Sequence, residues 1–247
     1  MSIILKAESV TVKFGGLVAL DNVGFNVEEG EFLSLIGPNG AGKTTLLNAI
    51  TGIVTPVTAK LAISGKDITH LPTYQRVRMG LALTHQIVRL FREMTVLENV
   101  AFAAGYKKVR QVLPSLLRIN RTQEKKTAQN FLDMVDIGQY ADQAVSELPL
   151  GVLKRLEVAR ALAVEPKVML LDEPLAGLNS QEAGRLADTV RQICKKGMTI
   201  VMIEHNLSEV LRVSDRLCVL DNGKNLSQGD PETVMNQPEV RAAYLGG

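Results

Sequence analysis

The chain of 247 residues has no tryptophan, two cysteines and three histidines, and only 4% of its residues are aromatic. Each scarcity excludes something. Two cysteines, Cys194 and Cys218, without metal-site spacing, cannot build a disulfide framework or a cysteine-rich zinc site; they read as packing residues in a reducing compartment. Basic and acidic residues nearly cancel, 28 against 26, so the positive excess of a nucleic-acid-binding domain is missing and no nucleic-acid partner is expected. No apolar run approaches the ~18 residues that suggest a bilayer span, and Met1–Lys13 lacks a signal-peptide pattern, so the chain is expected to be peripheral to any membrane it serves. Internal repeats and low-complexity tracts are also absent. The length then suits one large domain with a subdomain rather than an array.

What is present is concentrated in a few places. Residues Gly37, Pro38, Asn39, Gly40, Ala41, Gly42, Lys43, Thr44 and Thr45 follow the apolar run Phe32–Ile36 and precede the helix formers Leu46–Ile50. A strand feeding a G-x-x-x-x-G-K-[ST] turn into a helix is the setting of a phosphate loop. Its glycines let backbone N–H groups converge on phosphate oxygens, and the helix aims its positive end at the same anion. Lys43 is expected to reach the β- and γ-phosphates and Thr44 to offer its hydroxyl to Mg²⁺. These nine residues are the candidate contacts for a nucleoside triphosphate.

A second cluster lies far along the chain. Val168–Leu171 are four consecutive apolar residues, as in a strand buried on both faces of a parallel sheet, and Asp172 and Glu173 sit at its carboxyl end. Alone, an Asp-Glu pair after a strand is an ordinary solvated turn. Beside a phosphate loop, Asp172 is expected to hold Mg²⁺ and Glu173 to polarise the attacking water. A third apolar run, Met198–Ile203, ends in Glu204 and His205. A histidine there is commonly structural, but its place on a third such strand brings the γ-phosphate within expectation.

In order and spacing these pieces resemble the nucleotide-binding subunit of ATP-binding cassette transporters, along nearly the whole chain. The resemblance implies a RecA-like P-loop α/β core with an antiparallel β subdomain and an inserted helical subdomain, with ATP and Mg²⁺ as ligands. It implies a role for Phe14, at the position of an aromatic that stacks on adenine; the alternative is a core phenylalanine in an amino-terminal sheet. Gln86 matches a glutamine that touches Mg²⁺ and the water and senses the membrane partner, Ala176–Asn179 match a loop that crosses a dimer interface, and His205 matches the switch histidine. Implied partners are a second ATPase subunit, integral-membrane permeases and, indirectly, a substrate-binding protein. The implied location is the cytoplasmic face of the cell membrane.

One landmark departs from the family. Its Leu-Ser-Gly-Gly-Gln signature aligns with Leu148, Pro149, Leu150, Gly151 and Val152, followed by a good match over Leu153–Leu162. Proline has neither hydroxyl nor N–H to offer a phosphate. Gly151 keeps the backbone approach and is the nucleotide contact expected from this loop. Since the signature completes the partner's site, an asymmetric pair with Pro149 and Val152 facing the partner's nucleotide is one expectation. The other is that the helix amino-terminus beneath the loop suffices.

Periodicity organises the rest. Ile3–Phe32 read as short alternating strands, Leu61–Ile68 as another strand, and Glu93–Ala163 as helical, with Phe131, Leu132 and Val135 at helical spacing. The expected division is one domain, with residues 1–88 and 164–247 forming the core plus β subdomain and 89–163 the helical insert. Asp221–Lys224 reads as a hairpin turn. Basic residues crowd Lys107–Lys126, as a solvated helix face or a patch near anionic headgroups. Arg89–Val100 suits a groove for a partner's short helix. That stretch, Ala176–Asn179 and the ending Ala243–Gly246 resemble the ATPases of branched-chain amino acid importers and relatives for other amino acids, amides or urea, from which His85 departs in place of phenylalanine. Two other functions stay open: an ATP-dependent dimerisation module that hardly turns over, and the ATPase of a lipopolysaccharide exporter.

Overall fold

The computed structural model describes residues 2–84, 90–105 and 121–245. The amino-terminal strands β1 (Ile3–Phe14) and β2 (Leu17–Glu28) pair antiparallel, and β1 pairs on its other side with β4 (Thr58–Ile63), which turns into the two-residue β5 (Lys66–Asp67). Two points differ from the sequence expectation. The short strands are two strands of 12 residues each. Their alternation is broken by register shifts near Val10 and by Ser9 and Asn22 with φ of 52° and 54°, so each long strand imitates shorter ones. Leu61–Ile68 is a hairpin rather than a strand, because Ser64 and Gly65 both take positive φ, as a two-residue hairpin turn requires.

The larger sheet has six strands. β3 (Phe32–Ile36) lies between β8 (Thr199–Ile203) and β9 (Arg216–Asp221); beyond β8 come β7 (Val168–Asp172) and β6 (Leu81–Thr84), all parallel. β10 (Lys224–Gly229) closes the edge antiparallel to β9 through the turn at Asn222 and Gly223, both with positive φ.

Both faces of this sheet are covered, which is why the central runs Val168–Leu171 and Ile200–Ile203 are apolar without interruption. Side chains alternate between two cores. Leu33, Leu35, Leu170, Val201 and Ile203 face the antiparallel sheet and α1 (Lys43–Thr51). Phe32, Ile36, Met169, Leu171, Ile200 and Met202 join the helices on the other side: α3 (Val96–Ala104), α4 (Arg121–Met134), α5 (Leu150–Ala163), α6 (Ser180–Lys195) and α7 (Leu207–Val213), with α8 (Pro231–Met235) and α9 (Pro238–Leu245) ending the chain. Short α2 (Thr73–Arg78) buries Arg76, whose guanidinium donates to the carbonyls of Ala49 and Ile50 at 2.7 Å each and so closes the carboxyl end of α1.

Gln86 and His85, and most of the basic segment Lys107–Lys126, lie outside the described residues. Among the described residues no helix is long and apolar enough to cross a membrane.

Candidate nucleotide site

The carboxyl ends of β3, β8 and β7 converge at one level: Leu35 pairs with Ile203, and Ile203 with Asp172. Open parallel sheets bind ligands at this end. A cleft of about 450 Å³ opens there, walled by the phosphate loop, the tip of the β1–β2 hairpin, Glu173, His205 and the β9–β10 turn. A cleft of about 520 Å³ at the opposite end of the sheet, near Ser2, Glu29 and Lys167, lacks both a phosphate loop and a carboxylate pair.

Two loop glycines are required by packing as well as by conformation. At Gly37, φ 145°, a Cβ would stand 2.0 Å from the Leu220 carbonyl oxygen; at Gly42, φ 98°, it would meet Leu20 Cδ2 at 2.6 Å and the Ala19 carbonyl at 2.8 Å. The loop is thus pressed between the hairpin and β9. Helix α1 starts at Lys43 with no side-chain cap and no acidic residue in its first turn, which leaves its amino-terminal N–H groups and positive end directed at the cleft. Lys43, 6% exposed, donates to the carbonyls of Gly37 at 2.7 Å and Pro38 at 2.9 Å. Burial lowers its pKa, while Glu173 and Asp172 oppose the shift.

Across the loop, the Thr44 hydroxyl donates to Asp172 Oδ1 at 3.3 Å. Burial, and next the neighbouring charge of Glu173, push the Asp172 carboxyl pKa up; the Thr44 bond and the cations Lys43 and Lys154 pull the other way. Glu173 has φ 49°, a left-handed conformation that costs a side-chain-bearing residue strain. Its N–H donates to the Ile203 carbonyl at 3.0 Å, its carbonyl accepts from the Ala176 N–H at 3.2 Å and from Lys154 Nζ at 3.4 Å, and its Oε1 lies 2.6 Å from His205 Nε2. Two of the residues that brace this arrangement carry no motif that marks them in the sequence. Lys154 is one. Glu204, 4% exposed, is the other: it accepts from the N–H of Leu175 at 2.7 Å and of His205 at 3.1 Å, locking together the turns that follow Glu173 and precede α7. Burial raises its pKa, against those two bonds. Its sequence signal was a carboxylate ending a third apolar run.

At the opposite wall Phe14 is 51% exposed and pairs with Leu17 across the hairpin, beside Val18. The core reading of Phe14 is therefore excluded. All three apolar residues line the cleft, where a base can lie against them; Leu17 and Val18 carry no motif that marks them in the sequence.

The signature segment needs correction at one residue. Pro149 and Leu150 are exposed at the start of α5 and Gly151 follows, its place for a Cβ only 3.2 Å from Glu182 Oε1. Val152, however, is 8% exposed and belongs to the helical-side core. Two residues along a helix turn the side chain by about 200°, so Val152 lies opposite Leu150 and does not face a partner's nucleotide. Leu150 instead approaches the loop Ala176–Asn179: a Cβ on Gly177, φ 81°, would come 2.9 Å from Leu150 Cδ2. Asn179 ends that loop by capping α6 reciprocally with Glu182, at 2.9 and 3.2 Å.

The expected partner groove is also rearranged. Val96 and Val100 are buried in the core; the apolar surface is made by Phe91 and Phe102, edge to face with ring centres 5.1 Å apart. Thr95 caps α3 with Glu98, and buried Asn99 bonds both the N–H and the carbonyl of Phe91 at 3.0 Å. Cys194 and Cys218 are buried thiols, their pKa values pushed by burial to about 11 and about 12, as befits packing residues.

Comparison with known proteins places these features. The ABC transporter family matches residues 20–176, and a family described as a branched-chain amino acid ATP-binding cassette transporter matches residues 224–247. The high-affinity branched-chain amino acid transport ATP-binding protein LivG of Salmonella typhimurium is 38% identical over 249 residues, covering 98% of both chains. BraF of Pseudomonas aeruginosa, with the same description, is 36% identical over 254 residues, also covering 98% of both. Among solved structures, the ADP conformation of MJ1267, an ATP-binding cassette of an ABC transporter, superposes with a TM-score of 0.87 at 32% identity over the whole of both chains. The dimeric cassette MJ0796 in a post-hydrolysis state with ADP and Pi gives 0.81 at 26% identity, covering 92% of this chain and 99% of that one. The phosphate loop, the paired carboxylates and the folded core are thus those of a known lineage: the chain belongs to the ABC transporter family and is its ATP-hydrolysing subunit.

Proposed function

We propose that this chain energises uptake of branched-chain amino acids, or of related amino acids, amides or urea, as one of two ATPase subunits docked peripherally beneath membrane permeases on the cytoplasmic face. The likeness to LivG and BraF along 98% of the chain supports the substrate class. The observation that carries the chemistry is the Glu173–His205 pair, 2.6 Å apart, at the end of the strand whose Asp172 bonds Thr44.

In this reading Phe14, with Leu17 and Val18, stacks on adenine. Residues Gly37–Thr45 wrap the phosphates with backbone N–H groups, and Lys43 exchanges its two loop carbonyls for β- and γ-phosphate oxygens. The hard oxygens of Thr44 and Asp172 fit Mg²⁺, with Gln86 as the proposed third contact; bound there, the ion would neutralise phosphate charge. Glu173 accepts a proton from the attacking water as general base, while His205 holds its carboxylate and faces the γ-phosphate. Gly151 and the positive end of α5 approach the nucleotide of the second subunit.

Pro149 favours a different chain as that second subunit, one with an intact signature. The complete site then uses this chain's Asp172 and Glu173. A substrate-binding protein delivers the cargo, which does not touch this chain. The test is uptake of labelled leucine, isoleucine and valine into vesicles holding the complex isolated on a tag carried by this chain. ATP-dependent uptake of at least one supports the reading; ATP-dependent uptake of none of these, nor of other amino acids, amides or urea, contradicts it.

A further inference from the structure

Helix α5 carries charge on its inward face. Lys154, Glu157 and Arg160 follow one another at three-residue spacing, neighbours along one side of the helix; Lys154 and Glu157 are 3% and 9% exposed. Buried charges are costly unless satisfied, so a row of three needs a structural reason. Both ends of the row have one. At the nucleotide end Lys154 Nζ donates to the Glu173 carbonyl at 3.4 Å. At the other end the Arg160 guanidinium lies over the Phe91 ring, 5.1 Å from its centre, and Phe91 meets Phe102 edge-on. Between them the Glu157 carboxylate acts on Arg160, favouring the charge that burial opposes. Six residues of helix separate the two contacts by about 9 Å along a rigid rod.

Glu173 is a suitable receiver for such a rod. Its left-handed backbone persists because several contacts determine it, and strained conformations relax when the surroundings no longer over-determine them. The sheet, the turn at Ala176 and His205 supply some of those contacts. Lys154 supplies one from α5. We propose that Lys154 and Arg160 are positioning residues for Glu173, and that the row they form with Glu157 ties the placement of the Phe91–Phe102 pair to the placement of the Glu173 carboxylate. The inference rests on the reading of Glu173 as the residue that polarises water. Displacement of Phe91 shifts α5 through Arg160, and the shift reaches the Glu173 backbone through Lys154. Nucleotide affinity is set elsewhere, by the phosphate loop and the Phe14 wall, so the row is expected to govern turnover and leave binding alone.

The test is steady-state ATP hydrolysis by the complex isolated on this chain's tag, with kcat and KM for ATP determined separately. Lys154→Met should lower kcat about 10- to 100-fold, the effect of a misplacement near 1 Å, and Lys154→Arg should restore most of it. Phe91→Leu, which keeps bulk and loses the ring, should lower kcat about 3- to 10-fold. KM should stay within about twofold throughout, and the double variant should be no slower than Lys154→Met alone, whereas independent sites multiply to within about twofold. Wild-type kcat in Lys154→Met, losses confined to KM, or multiplying effects would overturn the link. If Lys154→Met does not fold, Arg160→Lys, which keeps charge and loses the planar stack, replaces it against Phe91→Leu under the same criterion. Glu173→Gln in the same series separates the failures. Wild-type turnover there removes the reading of Glu173 itself; loss there with intact Lys154→Met and Phe91→Leu removes only the row.

Discussion

Phe14 leaves about half of its surface to solvent in a chain with few aromatics, directly beside the phosphate loop. Stacking on a base is worth about 1–3 kcal/mol by analogy with nucleobases on aromatic side chains. Phe14→Ala should therefore weaken ATP binding about 5- to 150-fold by calorimetry, while Phe14→Tyr and Phe14→Trp retain it. Unchanged affinity in a folded Phe14→Ala protein would assign the wall to Leu17 and Val18. Asp172 makes a different prediction. Burial and Glu173 raise its pKa, so the folded state favours the protonated carboxyl. Its contribution to stability is therefore fully present below the ordinary carboxylate pKa and is lost as pH rises through the raised value. Asp172→Asn imitates the protonated form at every pH. Melted without nucleotide, that variant should be more stable than wild type near neutral pH, with the gain shrinking towards about pH 4, even though it loses the proposed Mg²⁺ ligand. A gain independent of pH would mean that the carboxylate is not penalised.

Element boundaries decide what the altered signature means. Pro149 is the N-cap of α5 and gives it no side-chain bond, so Pro149→Ser should add a cap and stabilise the protein by about 0.5–2 kcal/mol in chemical denaturation. It should also raise hydrolysis at the partner's site, because the serine restores a donor. Val152→Gln has the opposite outlook. It buries an amide in the core, at a cost of about 1–3 kcal/mol if unpaired, and brings no gain in activity. Faster hydrolysis from Val152→Gln would contradict the orientation of α5. The same contrast shows what the sequence could reveal. The phosphate loop, the strand ending in Asp172 and Glu173, and the strand ending before His205 were legible, because each is a local pattern with its ends marked. Lys154 and Glu204 were not, because a charged residue that braces a backbone from the interior looks in sequence like any charged residue. Val152 was misread because alignment gives a residue's place in a motif, whereas the start of the helix gives its direction. The long β1 and β2 were misread because their bulges cut the alternation that marks a strand.

At the scale of the molecule, one sheet separates two cores and serves as the platform for both. The antiparallel layer presses the hairpin against the phosphate loop and carries Phe14; the helical layer carries Gly151, the loop Ala176–Asn179 and the Phe91–Phe102 surface. In the proposed reading, base and phosphate recognition belong to one side and contacts with partner chains to the other, with Asp172, Glu173 and His205 at the strand ends between them. With Pro149 in its signature, this chain should be a poor ATPase by itself and active in a pair. In the proposed mechanism the Glu173 carboxylate, held by His205, polarises the water. Its most direct test is the ATPase rate of the assembled transporter with Glu173→Gln in this chain, measured beside equilibrium binding of MgATP. Binding should be retained and turnover should fall about 10²- to 10⁴-fold, the usual worth of a positioned general base. Turnover near the wild-type rate, with binding intact, would contradict the account.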